Sequence, residues 1–359
     1  MGLAVGGFGT YVSELVGRGV APSVAGLGAT LFLFGQFVIV WPTDVVGRLS
    51  TVRLAAAGGL AVGTVGTALG GALSVPVALG GRLLLGFGMG ATFLAAMTYA
   101  GRCVEAPYIA RLQSLLGAMF SLGLAVGIAA TPWAVSQFGP TPPALVAAVP
   151  VAVSTMLTPS LTPVAGREYQ PFSTYVRTFR TPVGIGLGLA NGASYGLLIV
   201  ATTWYTDILS RIPSMPVTLV LTGFAVATFL GRTYSGRLGG VTTRRRAVEA
   251  GLAFLAASLG LVAFALWLEI HSLLAVALVL TGAGFGLPFG PLFSFAFANV
   301  DVDAGVLLVG MTAIGNLVAL GYPWLVGQLL EATAGYVVGL VVMALSTVGV
   351  AIVWRATLY

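Results

Sequence analysis

The chain has 359 residues, of which 58% are hydrophobic and only 7% are charged. A soluble domain carries about 25% charged residues, so the composition excludes an ordinary soluble fold and leaves the lipid bilayer as the solvent. The net charge is +6 at neutral pH. Because the chain has one cysteine and one histidine, it can form neither an internal disulfide nor a Cys/His metal cluster, and we expect no metal and no cofactor.

Twelve apolar runs follow one another, each long enough to cross a hydrocarbon core at roughly 20 residues per crossing. Continuous runs of this length indicate helices, because the strands of a membrane barrel would alternate in polarity. The first run is the weakest, since Glu14 and Arg18 shorten its apolar part, and we expect the start of this helix to be missing. The runs cover residues 1–17, 22–42, 52–73, 76–100, 112–136, 141–160, 183–206, 214–235, 247–268, 272–298, 304–328 and 335–354.

The longest polar interruption is GREYQPFSTYVRTFR, between the sixth and the seventh run. The sequence therefore predicts an all-α membrane protein with twelve transmembrane helices in two pseudo-symmetric six-helix bundles. The first bundle covers residues 1–160 and the second residues 182–359, and a cytoplasmic linker covers residues 161–181. Internal repeats of this kind are typical of secondary transporters, whose substrate site lies where the halves meet.

The placement of the arginines predicts the orientation. All 16 basic residues are arginines. With both termini in the cytoplasm, twelve of them fall at the inner side, and Arg18 and Arg211 fall at the outer side. This asymmetry is what the positive-inside rule requires, and it predicts a multi-pass protein of the plasma membrane. The positive net charge then needs no nucleic-acid partner.

The stretch WPTDVVGR, at the end of the second run, places Asp44 and Arg48 four positions apart. After the eighth run, GRTYSGRLGGVTTRRR occupies the same place in the second half. Superposing Asp44 on Gly240 places Arg48 on Arg244. A carboxylate in a short inner loop can meet an arginine or a helix N-terminus of a neighbouring segment.

Both stretches resemble the loop signature G-x-L-A-D-R-x-G-R-R of the major facilitator superfamily. The first copy keeps Asp44, Gly47 and Arg48, and the second keeps Gly236, Leu238, Arg244 and Arg245. GRLLLGFGMG resembles the fourth-helix signature R-x-x-x-G-x-G of the same family, beginning at Arg82, and GNLVALGYPWLVGQLLEATAGY resembles its eleventh helix. The resemblance covers nearly the whole chain. It implies a monomeric alternating-access transporter of a small solute, with Asp44, Gly47, Arg48, Arg82, Gly236 and Arg244 as conformational-gate residues.

Arg232 is informative about the cargo, because it lies one to two turns inside the membrane, where a charge is a functional candidate. The planar guanidinium suits carboxylate or nitrate oxygens. Nitrate porters, which this arrangement resembles, carry a second arginine where this chain has Gln36, so a monovalent organic anion is favoured. Arg82 is expected near the outer surface, which leaves Arg232 as the only deep cation. The alternative is that Arg232 extends to cytoplasmic water.

The resemblance implies that the first, fourth, seventh and tenth helices line the cavity. The spacing of Asn191, Ser194 and Tyr195 places them on one helix face, and Tyr11 and Asn316 are further candidate substrate contacts. Each of these residues could instead make a buried hydrogen bond between helices.

Glu14 is the candidate proton-coupling residue, because burial would raise its pKa. Asp207 and Glu269 are expected in outer loops, and uniport remains an alternative to proton symport. Efflux of hydrophobic compounds by proton antiport also stays open, although Pro132 follows Gly127 by five residues, whereas the fifth-helix pattern of drug antiporters places proline directly after the glycine. The sequence holds one histidine and no H-E-x-x-H motif, which disfavours a membrane enzyme. A receptor that has lost transport is a further alternative.

The arginine asymmetry predicts which side of the membrane each connection faces. In a Cys103→Ala background, the cysteine of Gln170→Cys should react with an impermeant maleimide only from the cytoplasm, and that of Ser210→Cys only from outside. Labelling of position 170 from outside intact cells would reverse the topology.

Overall fold

The computed structural model describes residues 1–49, 52–72, 74–103, 106–162, 168–213, 215–237, 241–298, 303–333 and 335–358. These residues form helices and no strand. The helices are α1 Gly2–Gly6, α2 Phe8–Gly17, α3 Pro22–Leu49, α4 Val52–Leu69, α5 Val75–Cys103, α6 Ala106–Phe138, α7 Thr141–Leu157, α8 Phe172–Phe179, α9 Pro182–Asn191, α10 Leu197–Ser210, α11 Val217–Ser235, α12 Val241–Trp267, α13 His271–Gly286, α14 Phe289–Ala298, α15 Ala304–Ala319, α16 Tyr322–Thr333 and α17 Tyr336–Leu358. A 3-10 turn covers Thr158–Ser160, and a π-helix covers Gly192–Gly196.

The described residues contain 11 helical segments that are long and apolar enough to cross a membrane. The first predicted run forms two short helices, α1 and α2, which meet at Gly7. Together they take the place of the first of the twelve predicted segments. The spans that contain α9 and α10, α13 and α14, and α15 and α16 are each made of more than one helix. The all-helical membrane fold predicted from the sequence is confirmed, with a short first helix.

Helix packing in this fold depends on close backbone approach. In lipid, association gains little from the hydrophobic effect, so van der Waals contact between small residues drives it. Where α4 crosses α5, Gly63 faces Gly88, and a Cβ at Gly88 would overlap the Gly63 backbone. Glycine at this crossing therefore lets the two helices touch.

The two halves, residues 1–160 and 182–359, meet along three sets of helices. Helix α3 packs along α15 and α16, α6 packs against α11 and α14, and α2 packs against α10. We call the end that carries Asp303 the inner end, and the end that carries Glu331 the outer end. At the outer end, the Ser23 amide donates a hydrogen bond to Glu331, at 2.7 Å. Farther in, the Thr30 hydroxyl donates to the Leu320 carbonyl, at 3.0 Å. Contacts between the halves therefore also exist at the outer end.

The predicted linker contains the helix α8. Tyr175 of this helix is fully buried and packs with Trp354 and Val306 in the core at the inner end. Part of the linker, residues 163–167, lies outside the described residues. The segment between the halves therefore contributes a side chain to the inner end of the protein.

The Gly63–Gly88 crossing predicts a steric effect on stability. Gly88→Ala should lower the free energy of unfolding by about 1–3 kcal/mol, because overpacking forces the two backbones apart. A thermal denaturation curve of the purified protein measures this loss. Gly80→Ala on the same helix is the matched control, because a Cβ there would meet nothing within 4 Å. Equal melting temperatures for the two variants would contradict the packing account.

Candidate functional site

Arg48 lies at the inner end of α3 with its side chain buried. Its Nε donates to Asp44 at 2.6 Å, its Nη2 donates to Asp303 at 2.5 Å, and its Nη1 contacts the Glu168 carbonyl at 3.3 Å. The Tyr175 hydroxyl donates to Asp44 at 2.5 Å. Burial, and secondly the hydrogen bond to Asp44, raise the pKa of Tyr175, so the phenol keeps its proton. We call Asp44, Arg48, Tyr175 and Asp303 the inner junction.

The inner junction joins the two halves. Asp303 precedes α15, and its carboxylate accepts from the amides of Gly305 at 2.8 Å and Val306 at 3.1 Å. It therefore caps a helix of the second half while it pairs with Arg48 of the first. A carboxylate is stabilised at a helix N-terminus by the helix dipole and by the unpaired amides.

The stretch WPTDVVGR is helical, which corrects the expectation of a loop. Helix α3 continues to Leu49, so Asp44 and Arg48 lie one turn apart on one face. Helix α3 continues through Pro42 and past the predicted end of the second run at residue 42. Gly47 therefore lies inside the helix. The i, i+4 spacing is therefore the geometry of a helical ion pair.

The second copy of the motif makes a different contact. Nη1 of Arg244 donates to the Ser294 carbonyl of α14 at 3.4 Å, within the second half. Gly236 directly follows α11, and Gly240 lies outside the described residues. Arg48 pairs with Asp303 of the opposite half, whereas the Arg244 contact stays within its own half.

Arg232 on α11 is 1% exposed, so the alternative that it extends to cytoplasmic water is wrong. Its Nη1 donates to the carbonyl of Gly117 on α6, in the other half, at 2.8 Å. The guanidinium carbon lies 4.2 Å from the ring centre of Phe289 and 5.6 Å from that of Phe120. Nε and Nη2 have no hydrogen-bond partner. A fully buried cation therefore presents one unused N–H edge where the halves meet.

Two polar residues near Arg232 were missed in the sequence. Gln113 lies one turn before Gly117 on α6, and both polar atoms of its buried side chain lack a partner. The hydroxyl of Ser114 is also buried and without a partner. A Gln–Ser pair inside an apolar run is the signal that could have identified them, since unsatisfied polar groups are costly in lipid.

Tyr195 also bridges the halves. Its hydroxyl donates to Oε1 of Gln36 on α3 at 3.1 Å. Its ring stacks on Phe93 at 6.3 Å and lies 5.9 Å from Phe120. The side-chain oxygen of Gln36 is therefore bound by Tyr195, whereas its Nε2 has no partner.

Asn191, Ser194 and Tyr195, which were expected on one α-helical face, lie at and within a π-helix. Asn191 donates to the Met311 carbonyl of α15 within its own half, at 3.3 Å. Ser194 is buried without a partner. Ser194 and Tyr195 lie inside the π-helix Gly192–Gly196, directly after Asn191. The number of residues per turn there differs from that of an α-helix, so the α-helical spacing rule does not apply. Asn316 on α15 is buried, and both polar atoms of its side chain lack a partner.

Arg82 on α5 is 3% exposed, so its side chain is covered and Arg232 is not the only buried cation of this kind. Its guanidinium carbon lies 3.7 Å from the Phe8 ring centre and 5.0 Å from that of Phe32. Nη1 makes a long 3.5 Å contact to the Ala4 carbonyl, and Nε and Nη2 have no partner. Neighbouring helices cover the site, although Arg82 is only two turns from the start of its helix.

The acidic candidates also differ from expectation. The Glu14 side chain is 42% exposed and pairs with Arg18 at 2.8 Å, so the expected burial is absent. Asp207 lies within α10 rather than in a loop, and its buried carboxylate accepts from Tyr336 and Arg211. The half-buried Tyr11 donates to the Pro140 carbonyl at 3.3 Å.

Comparison with known proteins identifies relatives of this architecture. The sequence model described as Major Facilitator Superfamily matches residues 1–318, whereas no curated protein sequence matches significantly. The E. coli fucose:proton symporter FucP has 18% identity and a TM-score of 0.69, over 100% of this chain and 96% of its own. The human organic anion transporter MFSD10 (TETRAN) has 14% identity and a TM-score of 0.74, over 98% and 89%. The E. coli xylose transporter XylE has 11% identity and a TM-score of 0.74, over 100% and 97%. At these identities the likeness shows the fold alone.

The inner junction predicts a charge-specific effect of Asp303→Asn. Asparagine still caps α15 but no longer neutralises Arg48. The stability should fall by roughly 1–3 kcal/mol, less than for a fully buried pair, because the Asp303 side chain is 25% exposed. The inner end should also open more often. In a Cys103→Ala background, the cysteine of Ser114→Cys should react several-fold faster with N-ethylmaleimide.

Glu249→Gln is the control for this experiment, because it breaks the exposed 3.6 Å pair with Arg355 at the periphery. Such pairs contribute little to stability. Labelling rates that are the same in Asp303→Asn and in the control would show that the junction does not hold the inner end closed.

Proposed function

Because the chain belongs to the major facilitator superfamily, we propose that it is a secondary transporter that carries a small anion by alternating access. The observation that supports an anionic cargo is the unused N–H edge of the buried Arg232. An uncompensated buried charge costs several kcal/mol. A carboxylate or nitrate on Nε and Nη2, the two N–H groups of one guanidinium edge, would offset that cost through a bidentate contact.

Both halves contribute buried polar groups without partners. Gln113 and Ser114 of the first half, and Ser194 and Asn316 of the second, offer buried amide or hydroxyl groups without partners. Donors of this kind, next to a cation, suit an oxyanion with more than one oxygen. We propose these residues, with Tyr195, as the groups that orient the cargo beside Arg232.

Alternating access couples this site to the gates. The Arg232–Gly117 and Tyr195–Gln36 hydrogen bonds both cross between the halves. The halves cannot separate at these points unless the bonds break. We propose that Asp44 and Arg48 hold the inner end closed while the cargo site is covered, and that opening releases the anion to the cytoplasm.

Coupling, location and assembly complete the proposal. Proton symport through Glu14 loses its physical basis, because that carboxylate is exposed and paired with Arg18. We therefore propose anion transport without a role for Glu14 in proton coupling. The location in the plasma membrane, both termini in the cytoplasm and the monomeric state remain parts of the same proposal.

Efflux of hydrophobic compounds is the second candidate, and one observation favours it. Aromatic rings of the two halves contact one another. Phe93 contacts Tyr195, Phe289 and Phe293, and Phe120 contacts Tyr195. Rings of this kind suit an apolar or aromatic cargo. Such a cargo needs no buried cation.

Substitution of Arg232 separates the two candidates. Arg232→Ala should reduce the uptake of acetate or benzoate into proteoliposomes more than hundredfold, which corresponds to about 3 kcal/mol. Arg232→Lys should restore little, because a point charge does not reproduce the guanidinium edge. Arg355→Gln, at an exposed peripheral site, controls for the lost charge.

Unchanged carboxylate uptake and affinity in Arg232→Ala would remove the anion proposal. Transport of a lipophilic dye such as ethidium by wild-type protein, retained in Arg232→Gln, would then support the efflux candidate. Arg355→Gln should retain both carboxylate uptake and any dye transport. This result would show that loss of a positive charge elsewhere does not cause an uptake defect seen in Arg232→Ala.

A further inference from the structure

Arg82 is a second buried cation that the proposed cargo site does not use. Among the described residues no carboxylate pairs with it, since its guanidinium makes one long contact to the Ala4 carbonyl and no ion pair. A guanidinium inside a membrane bundle is expected to have an anionic or carbonyl partner for each edge. The edge formed by Nε and Nη2 has none.

Two adjoining cavities reach Arg82. The deep cavity lies between Leu3, Thr67, Thr131 and Ala147, and the outer cavity lies between Ala25, Val75, Leu79 and Pro140; both are lined by Phe8, Tyr11, Gly70 and Arg82. The outer cavity also includes Glu14 and Arg18, whose side chains are 42% and 48% exposed. The outer cavity therefore extends from the outer surface to the Arg82 side chain.

The packing around Arg82 leaves its edge available. Phe8 and Phe32 lie within cation–π distance of the guanidinium. These contacts use the charge but not the in-plane N–H groups. Glu14 is the one carboxylate among the residues that line the two cavities, and Arg18 binds it through Nε at 3.0 Å and Nη2 at 2.8 Å.

We propose that Arg82 is the receptor of a second anion site, inside the first half and open to the outer end. The ligand is a small monovalent oxyanion such as nitrate or formate, held by Nε and Nη2. The two cavities are small and mostly apolar apart from Arg82, Tyr11, the Glu14–Arg18 pair at the outer end and threonine hydroxyls, which excludes a large or multiply charged ligand.

This site is separate from the cargo site at Arg232. Every residue that lines the two cavities belongs to the first half, whereas Arg232 belongs to α11 of the second. Tyr195 lies within Coulombic range of both guanidiniums. The Tyr195–Gln36 hydrogen bond is therefore close to both cationic positions, of which only Arg82 lines the two cavities.

Nitrate titration of purified variants tests the proposal. In an Arg232→Gln background, sodium nitrate should still raise the melting temperature by several degrees relative to sodium gluconate of equal ionic strength, because a ligand stabilises the state that binds it. Adding Arg82→Gln should abolish this shift. Adding Arg355→Gln instead, which removes an exposed charge, should leave the shift intact.

Arg82→Lys keeps the charge but not the guanidinium edge, and serves where Arg82→Gln does not fold. In the Arg232→Gln background its apparent nitrate affinity should fall at least tenfold. The proposal is overturned if nitrate gives no shift in Arg232→Gln, or the same shift after Arg82→Gln or Arg82→Lys. Carboxylate uptake does not enter this measurement, so the Arg82 site can fail while the proposed transport function stands, and the reverse.

Discussion

Each polar side chain inside this bundle must find its partner within the protein, because lipid offers none. The hydroxyls of Thr43, Thr67 and Thr228 meet this constraint locally by donating to the carbonyl four residues earlier. Longer side chains meet it across the interface between the halves, as in the bond from Tyr195 to Gln36. The same requirement that stabilises the fold therefore also joins its two halves.

Some buried polar groups violate this constraint. Among them are the N–H edges of Arg82 and Arg232 and the side-chain amides of Gln113 and Asn316. Each such group lowers the stability of the protein. The two guanidinium edges cost the most, and this cost is the physical reason for the proposed anion sites, because a bound anion would recover the lost interactions.

Local spacing in the sequence predicted part of the inner junction. Asp44 and Arg48 are four residues apart, and a helix converts that spacing directly into contact. Their partner Asp303 is 255 residues from Arg48, and no local pattern predicts a contact over such a separation. Arg82 and Glu14 were misjudged for a related reason. Position along a helix gives depth in the membrane, whereas the neighbouring helices decide whether a side chain is covered.

The π-helix in the seventh membrane span has an evolutionary consequence. A π-turn is what one inserted residue produces in an α-helix, so a single deletion within Gly192–Gly196 would restore regular α-geometry. A deletion in the regular helix α10 before Trp204 would instead rotate all later residues by about 100° and shift them by about 1.5 Å along the axis. Trp204 would then lose its bond to Pro323, and Asp207 would turn away from Tyr336. The wide turn therefore absorbs a change of one residue in length, and related chains should lose a residue there more readily than within α10.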